Sequence, residues 1–170
     1  MLKNIGLVLA TLIALALPAR AQETSATLGP VQAILQEQAE LIVKSSRKTI
    51  GPAIDAMAAS GLPAAQGVLE AWQAKDMWLR ETDGLFFRGE KIDAKTYRLI
   101  DFNSGEAVGE VAKADLEQIK PNSGIRALLG TALVTFQLND PDRAKRADAL
   151  LSLERDTNAD LLVPLRAAID

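Results

Sequence analysis

Residues 77–111 break the period of an otherwise helical sequence, and this break limits the fold more than any other feature. Five of the seven aromatic residues (Trp78, Phe86, Phe87, Tyr97 and Phe102) fall inside it. Strands favour aromatic side chains because these pack well on a pleated surface. Two apolar runs, 77–81 and 85–88, flank Thr82-Asp83-Gly84, and Asp-Gly is a strong hairpin signal. A second pair, 97–102 and 106–111, flanks Asn103-Ser104-Gly105. The chain therefore has to hold an antiparallel β unit over about residues 77–111.

The flanks read as helices. Hydrophobic residues make up 48% of the chain but aromatics only 4%, an Ala/Leu-rich balance that suits them. From Pro30, apolar positions recur at Val31, Ile34, Leu35, Leu41 and Ile42, with Gln38 interrupting the stripe. Ile50, Ile54, Met57 and Ala58 mark a second helix that stops at Ser60-Gly61. A third starts at Pro63 and turns Val68, Leu69 and Trp72 inward. Beyond the β unit, residues 113–119 fit two helical turns. Ser123 can cap a helix carrying Ile125, Leu128, Leu129, Ala132, Leu133 and Phe136. Asp140-Pro141 suits the cap and first position of another, with Ala144, Ala147, Leu150 and Leu151 as its apolar face. The last shows Leu161, Leu162, Leu165, Ala168 and Ile169, with Pro164 set to kink it or delay its start.

Residues 50–73 shifted by 96 positions lay Ile54 on Leu150, Met57 on Leu153, Ala65 on Leu161 and Leu69 on Leu165. Such an echo suits HEAT-type helical pairs, each burying a face on the next, or independent helical hairpins in one bundle. The expected fold is mainly α: short HEAT-like helical hairpins with a small antiparallel β insert, one domain over residues 30–170.

Residues 1–21 read as a cleaved secretory signal. Lys3 supplies the charge, Ile5 to Leu17 the uncharged run, and Ala19-Arg20-Ala21 the small-x-small site. The run is shorter than the roughly 20 residues of a spanning helix. Cleavage before Gln22 removes Lys3 and Arg20 and takes the net charge from −3 to −5. Residues 22–29 form a polar, flexible leader, and the expected location is the periplasm.

The chain has no His and no Cys, which excludes imidazole and thiolate metal ligands, disulfides and His-assisted nucleophiles. Its acidic balance argues against nucleic acid as a partner. Ser45-Ser46-Arg47-Lys48 contains the Ser-x-x-Lys of penicillin-recognising hydrolases, but a Lys-Thr-Gly strand is missing and a polar helix junction explains it as well. Asp76, Glu81 and Asp83 beside Trp78 invite comparison with a glycosidase pair on an aromatic platform. Asp83 is better read as a turn residue and Glu81 as an exposed strand residue. Glu106 and Glu110 fit the solvent face of a strand. The Asn-Ser-Gly tripeptides at 103–105 and 122–124 are turn chemistry, and Trp72 suits the helical core. No catalytic, cofactor-binding or metal-binding residue is assigned, and no cofactor is expected.

Certain strings go with this order of elements. They are Asp83-Gly84, Ser104-Gly105-Glu106, Val108-Gly109-Glu110-Val111, Asp115-Leu116-Glu117, Arg126 with Leu128 and Leu129, and Asp140-Pro141-Asp142. Together they resemble the N-terminal extracytoplasmic region of the urea ABC transporter permease subunit, of the branched-chain amino-acid permease family. The likeness spans about residues 45–170 and is most specific over 104–152. It implies a non-enzymatic periplasmic module of a urea- or amide-type importer, either a shortened permease or a stand-alone copy. The partners implied are the membrane permease domain and other subunits, among them the substrate-binding protein, and none of these strings carries a catalytic residue across. The alternatives are a free-standing periplasmic helical adaptor and a Ser-x-x-Lys hydrolase.

Overall fold

The structure, a computed structural model, describes residues 28–155 and 162–167. The expected signal segment and all but the end of the leader lie outside the described residues. Helix α1 (Pro30–Glu37) opens with Pro at its first turn, where a missing N–H costs nothing. It breaks at Gln38 before the short α2 (Ala39–Val43). Helix α3 (Gly51–Ala59) ends as expected at Gly61, whose φ of +65° is the left-handed conformation that stops a helix. Helix α4 (Ala65–Ala74) ends on Lys75, which takes φ +71° without being glycine. After the β region come α5 (Ser123–Leu138), α6 (Arg143–Arg155) and α7 (Leu162–Ala167).

Two caps differ from expectation. Asn122, not Ser123, caps α5, its Oδ1 accepting from the Ile125 N–H at 3.0 Å. Asp140-Pro141 forms a turn before α6, and Asp142 does the capping, its Oδ1 accepting from the Ala144 N–H at 2.8 Å. In both places the capping oxygen belongs to a residue one or two positions from the expected one.

Both hairpins form where the Gly turns place them. Strand β1 (Met77–Arg80) pairs antiparallel with β2 (Leu85–Lys91) in the register Leu79 to Phe86. Strand β3 (Thr96–Ile100) pairs with β2 and with β4 (Ala107–Ala112). Residues 113–119 are not the expected helix: Lys113–Asp115 make one 3-10 turn, and β5 (Leu116–Gln118) then pairs with β1. The sheet order is β4-β3-β2-β1-β5.

That order forces curvature. In a flat sheet of five strands the two edges stand about 19 Å apart, four strand spacings. The chain runs from Ala112 at one edge to Leu116 at the other, and four extended residues reach at most about 14 Å. A 3-10 turn reaches less. The sheet therefore rolls its edges toward each other. Trp78, Phe87, Leu99 and Leu116 fill one side of the roll. Met77 and Phe86 point to the other side and join the buried residues of α1 to α5 in the main core. Over 77–79 and 85–87 strands β1 and β2 are thus covered on both faces, which is why those stretches read as unbroken apolar runs.

The expectation of a mainly α fold with a small insert is therefore corrected. Of the described residues 50% are helical and 19% are strand, and the fold is a mixed α/β one with a five-stranded antiparallel sheet. The sheet supplies one wall of the main core, so it is a layer of the fold and not an insert. HEAT-like stacking fails too. Helix α5 is a central post that touches α3, α4, α6 and α7, so the two echoing helix pairs sit around it rather than in a row.

Helix α1 closes an open stretch of β2. Strand β3 pairs with β2 only over residues 88–91, which leaves the backbone of Phe86 without a strand on that side. The Gln32 amide takes both groups: Nε2 donates to the Phe86 carbonyl at 2.8 Å and Oε1 accepts from its N–H at 3.0 Å. One turn on, Gln36 Nε2 donates to the Gly84 carbonyl at 2.7 Å. A helical turn rises about 5.4–6 Å and two strand residues about 6.6 Å, so the spacings match.

Candidate functional site

Several of the residues weighed as chemistry sit in turns and strands. Ser45 and Lys48 lie in the turn after α2 rather than one helical turn apart, and Ser46 shares its hydroxyl bond with Thr49 at 2.9 Å. Among the described residues no hydrogen bond joins Ser45 to Lys48. Asp83 is clamped by Arg80, with Nη2 to Oδ2 at 2.6 Å and the Leu85 N–H at 3.2 Å. Partial burial raises its pKa, but the hydrogen bonds from Arg80 and the Leu85 N–H, with the Arg80 charge, outweigh this and hold the carboxyl below the ordinary range.

Trp78 is buried in the roll with its ring 4.4 Å from Tyr97, so it offers no sugar platform. Glu81 uses its backbone N–H to bond the Asp115 carbonyl at 3.0 Å. Asp76 uses its carbonyl for the Gly89 N–H at 2.8 Å. Glu110 pairs with Arg98 across β3 and β4 at 3.3 Å, as a solvent-face residue does. Asn103 does more than turn the chain, because its Oδ1 accepts the Val31 N–H at the start of α1 at 3.0 Å. Trp72 is in the core, where its helical stripe puts it.

Helix α6 is different. Among its described residues Ala149 and Leu153 are buried, and they pack with Leu138 of α5 and against Val134 and Leu165. The stripe expected to face inward (Ala144, Ala147, Leu150 and Leu151) is exposed, with Leu150 and Leu151 about half accessible at 50% and 51%. The helix is thus apolar on two opposite sides, and the described residues cover one of them. A one-sided surface helix carries a single apolar stripe. The wrong stripe was legible because Ala144, Ala147 and Leu151 are spaced better than Ala149 and Leu153, and tertiary packing chose the shorter one.

The start of α6 is held rigidly. Asp140 Oδ1 accepts from the Asp142 N–H at 2.8 Å, and Arg146 Nη1 donates to the carbonyls of Asp140 and Pro141 at 2.7 and 2.9 Å. The Asp142 N–H, followed by the charges of Lys145 and Arg146, keeps the Asp140 carboxyl below its ordinary pKa. Beside this corner run two shallow open recesses of about 340 and 330 Å³ that share Gln66 and Asp140. Leu62 and Phe136 supply apolar walls to the first, and Lys145 a charge to the second. The candidate functional site is this fixed corner with the open face of α6 that follows it. Along it Ala144, Ala147, Leu150 and Leu151 lie exposed on one side of the helix. Among the described residues no group of His, Cys, Asp or Glu clusters as metal ligands do, and no helix is long and apolar enough to cross a membrane. No protein-family model, curated protein or solved structure matches the chain.

Proposed function

We propose that this protein is a non-enzymatic, exported contact module of a urea- or amide-type ABC importer, acting through protein partners in the periplasm. The observation that carries the reading is the second apolar stripe of α6, which has the residue types of a packed helix face and no cover from the described residues. The importer class comes from the sequence resemblance, and the strings behind it fall at shaping positions. Asp83-Gly84 and Ser104-Gly105-Glu106 make the two hairpin turns, and Asp140-Pro141-Asp142 makes the corner from which α6 starts. A surface of this kind suits a partner subunit better than a small solute, since a ligand with few atoms needs an enclosing cavity to bind tightly.

The direct test is retention of the purified protein on the immobilised, detergent-solubilised membrane complex and substrate-binding protein of the host's urea importer. The expected result is saturable retention there and none on an unrelated membrane complex. Equal retention on both, or on neither, would remove the importer reading in favour of a free-standing adaptor. Mass spectrometry of the exported protein is expected to find Gln22 at the N-terminus.

A further inference from the structure

On the reading that the open face of α6 is a contact surface, we propose that its occupant is a second copy of this chain, packed α6 against α6 in antiparallel, two-fold fashion. Arg143, Ala147, Leu150 and Glu154 follow one another at i, i+4, i+7 and i+11, which stacks them in a line along one side of the helix. All four are exposed. The charged pair at the ends makes no ion pair among the described residues, whereas Lys145 on a different side of the helix is bound to Asp140 at 3.4 Å. The line therefore reads basic, small apolar, large apolar, acidic.

That order is its own complement. A two-fold axis between Ala147 and Leu150 brings Arg143 of one copy opposite Glu154 of the other, twice, and Ala147 opposite Leu150, twice. Small against large is how facing helix residues interdigitate, and opposite charges at both ends select the antiparallel over the parallel pairing, which would set like charges together. A two-fold contact uses one patch twice, so a self-complementary line is what it requires. Ala144 and Leu151 flank the line and widen the apolar strip. A single helix pair is a small interface, so association is expected in the range of roughly 10–200 µM.

Sedimentation equilibrium across that range tests the pairing, with circular dichroism as the check that each variant is folded. The wild type is expected to dimerise and Leu150→Glu to stay monomeric. Arg143→Glu and Glu154→Arg are each expected to weaken association roughly fivefold or more, and the double variant to restore it, because the swapped charges again oppose. A folded double variant no better than either single one would overturn the proposal, as would a wild type that remains monomeric at 200 µM. The importer reading fails separately. A dimer that the importer does not retain supports the pairing and removes the importer, and a monomer whose importer binding is lost in Leu150→Glu does the reverse.

Discussion

The side-chain amide of Gln32 stands in for a neighbouring strand at Phe86, taking both the carbonyl and the N–H of that residue. Gln32 is 3% exposed and is the buried polar residue of the described core. Its burial is tolerable because each polar atom of the amide meets a backbone group that would otherwise be unpaired. The bond also fixes the depth and rotation of α1, which no apolar contact would do as narrowly.

Replacing Gln32 by Ala removes both partners of Phe86 at once. Each buried group left unsatisfied costs about 1–3 kcal/mol, so for the two a loss of about 2–6 kcal/mol is expected from urea denaturation. The exposed, one-bond replacement Lys44→Ala, which breaks only the pair with Glu40 at 3.0 Å, is expected to cost at most about 0.5 kcal/mol. Equal effects would deny Gln32 its role.

Gly89 lies against the indole of Trp78. A Cβ built there would fall 2.4 Å from the Trp78 Cδ1. Gly89→Ala therefore has to shift Trp78 inside the roll, and overpacking of this sort costs about 1–3 kcal/mol. Near-ultraviolet dichroism reads the change, since Trp78 and Tyr97 are in ring contact. An unaltered spectrum with unaltered melting would contradict this account.

Lys75 pays for a left-handed backbone that glycine adopts freely. Its carbonyl accepts from Gln118 Nε2 at 2.7 Å, a bond that any residue at this position can keep. Lys75→Gly is expected to stabilise the protein by about 0.5–1 kcal/mol, read as a higher melting temperature. A fall in melting temperature would mean that the Lys75 side chain contributes more than its backbone costs.

The lowered pKa of Asp83 makes its turn sensitive to acid. A carboxyl whose folded pKa lies below its unfolded value adds stability that is complete above about pH 5 and fades as the pH falls past the ordinary value near 3.9 toward the lower folded one. Asp83→Asn is expected to lower stability at pH 7 and to flatten the slope below about pH 4.5. Because the Arg80–Asp83 pair is partly open to solvent, with side-chain exposures of 24% and 37%, the effect is that of a surface clamp. A parallel acid limb in both proteins would sink this assignment.

How far the sequence foretold the molecule depends on whether the deciding force was local. Asp83-Gly84 and Ser104-Gly105 announce both hairpins because their turns need the φ of +71° that Gly84 and Gly105 adopt. The Ile54 and Met57 stripe and that of Val68, Leu69 and Trp72 announce α3 and α4 because those residues do enter the core. Leu116 and Ile119 are spaced as a helix would space them, yet the bare edge of β1 claims that stretch for β5, and nothing within residues 113–119 records the presence of that edge. The same limit explains α6. Its better-spaced stripe was legible, whereas the choice of Ala149 and Leu153 for the inside belongs to Leu138 and Leu165. Gln32, a polar residue in an apolar stripe, left no sign of its partner 54 positions away.

The route from β4 to β5 has a consequence for synthesis. Trp78 pairs with Gln118, so the far side of β1 stays bare until about forty further residues have left the ribosome. During that interval Met77–Arg80 presents an unpaired, mostly apolar strand edge, the sort that recruits other chains. The meander of β2, β3 and β4 gives it no help, because it grows on the opposite side. Three residues, Leu116–Gln118, seal the edge when they arrive, and the Ile119 N–H adds a bond to the Met77 carbonyl at 2.9 Å. The shortest strand of the sheet thus sets how long a nascent chain is at risk of aggregation.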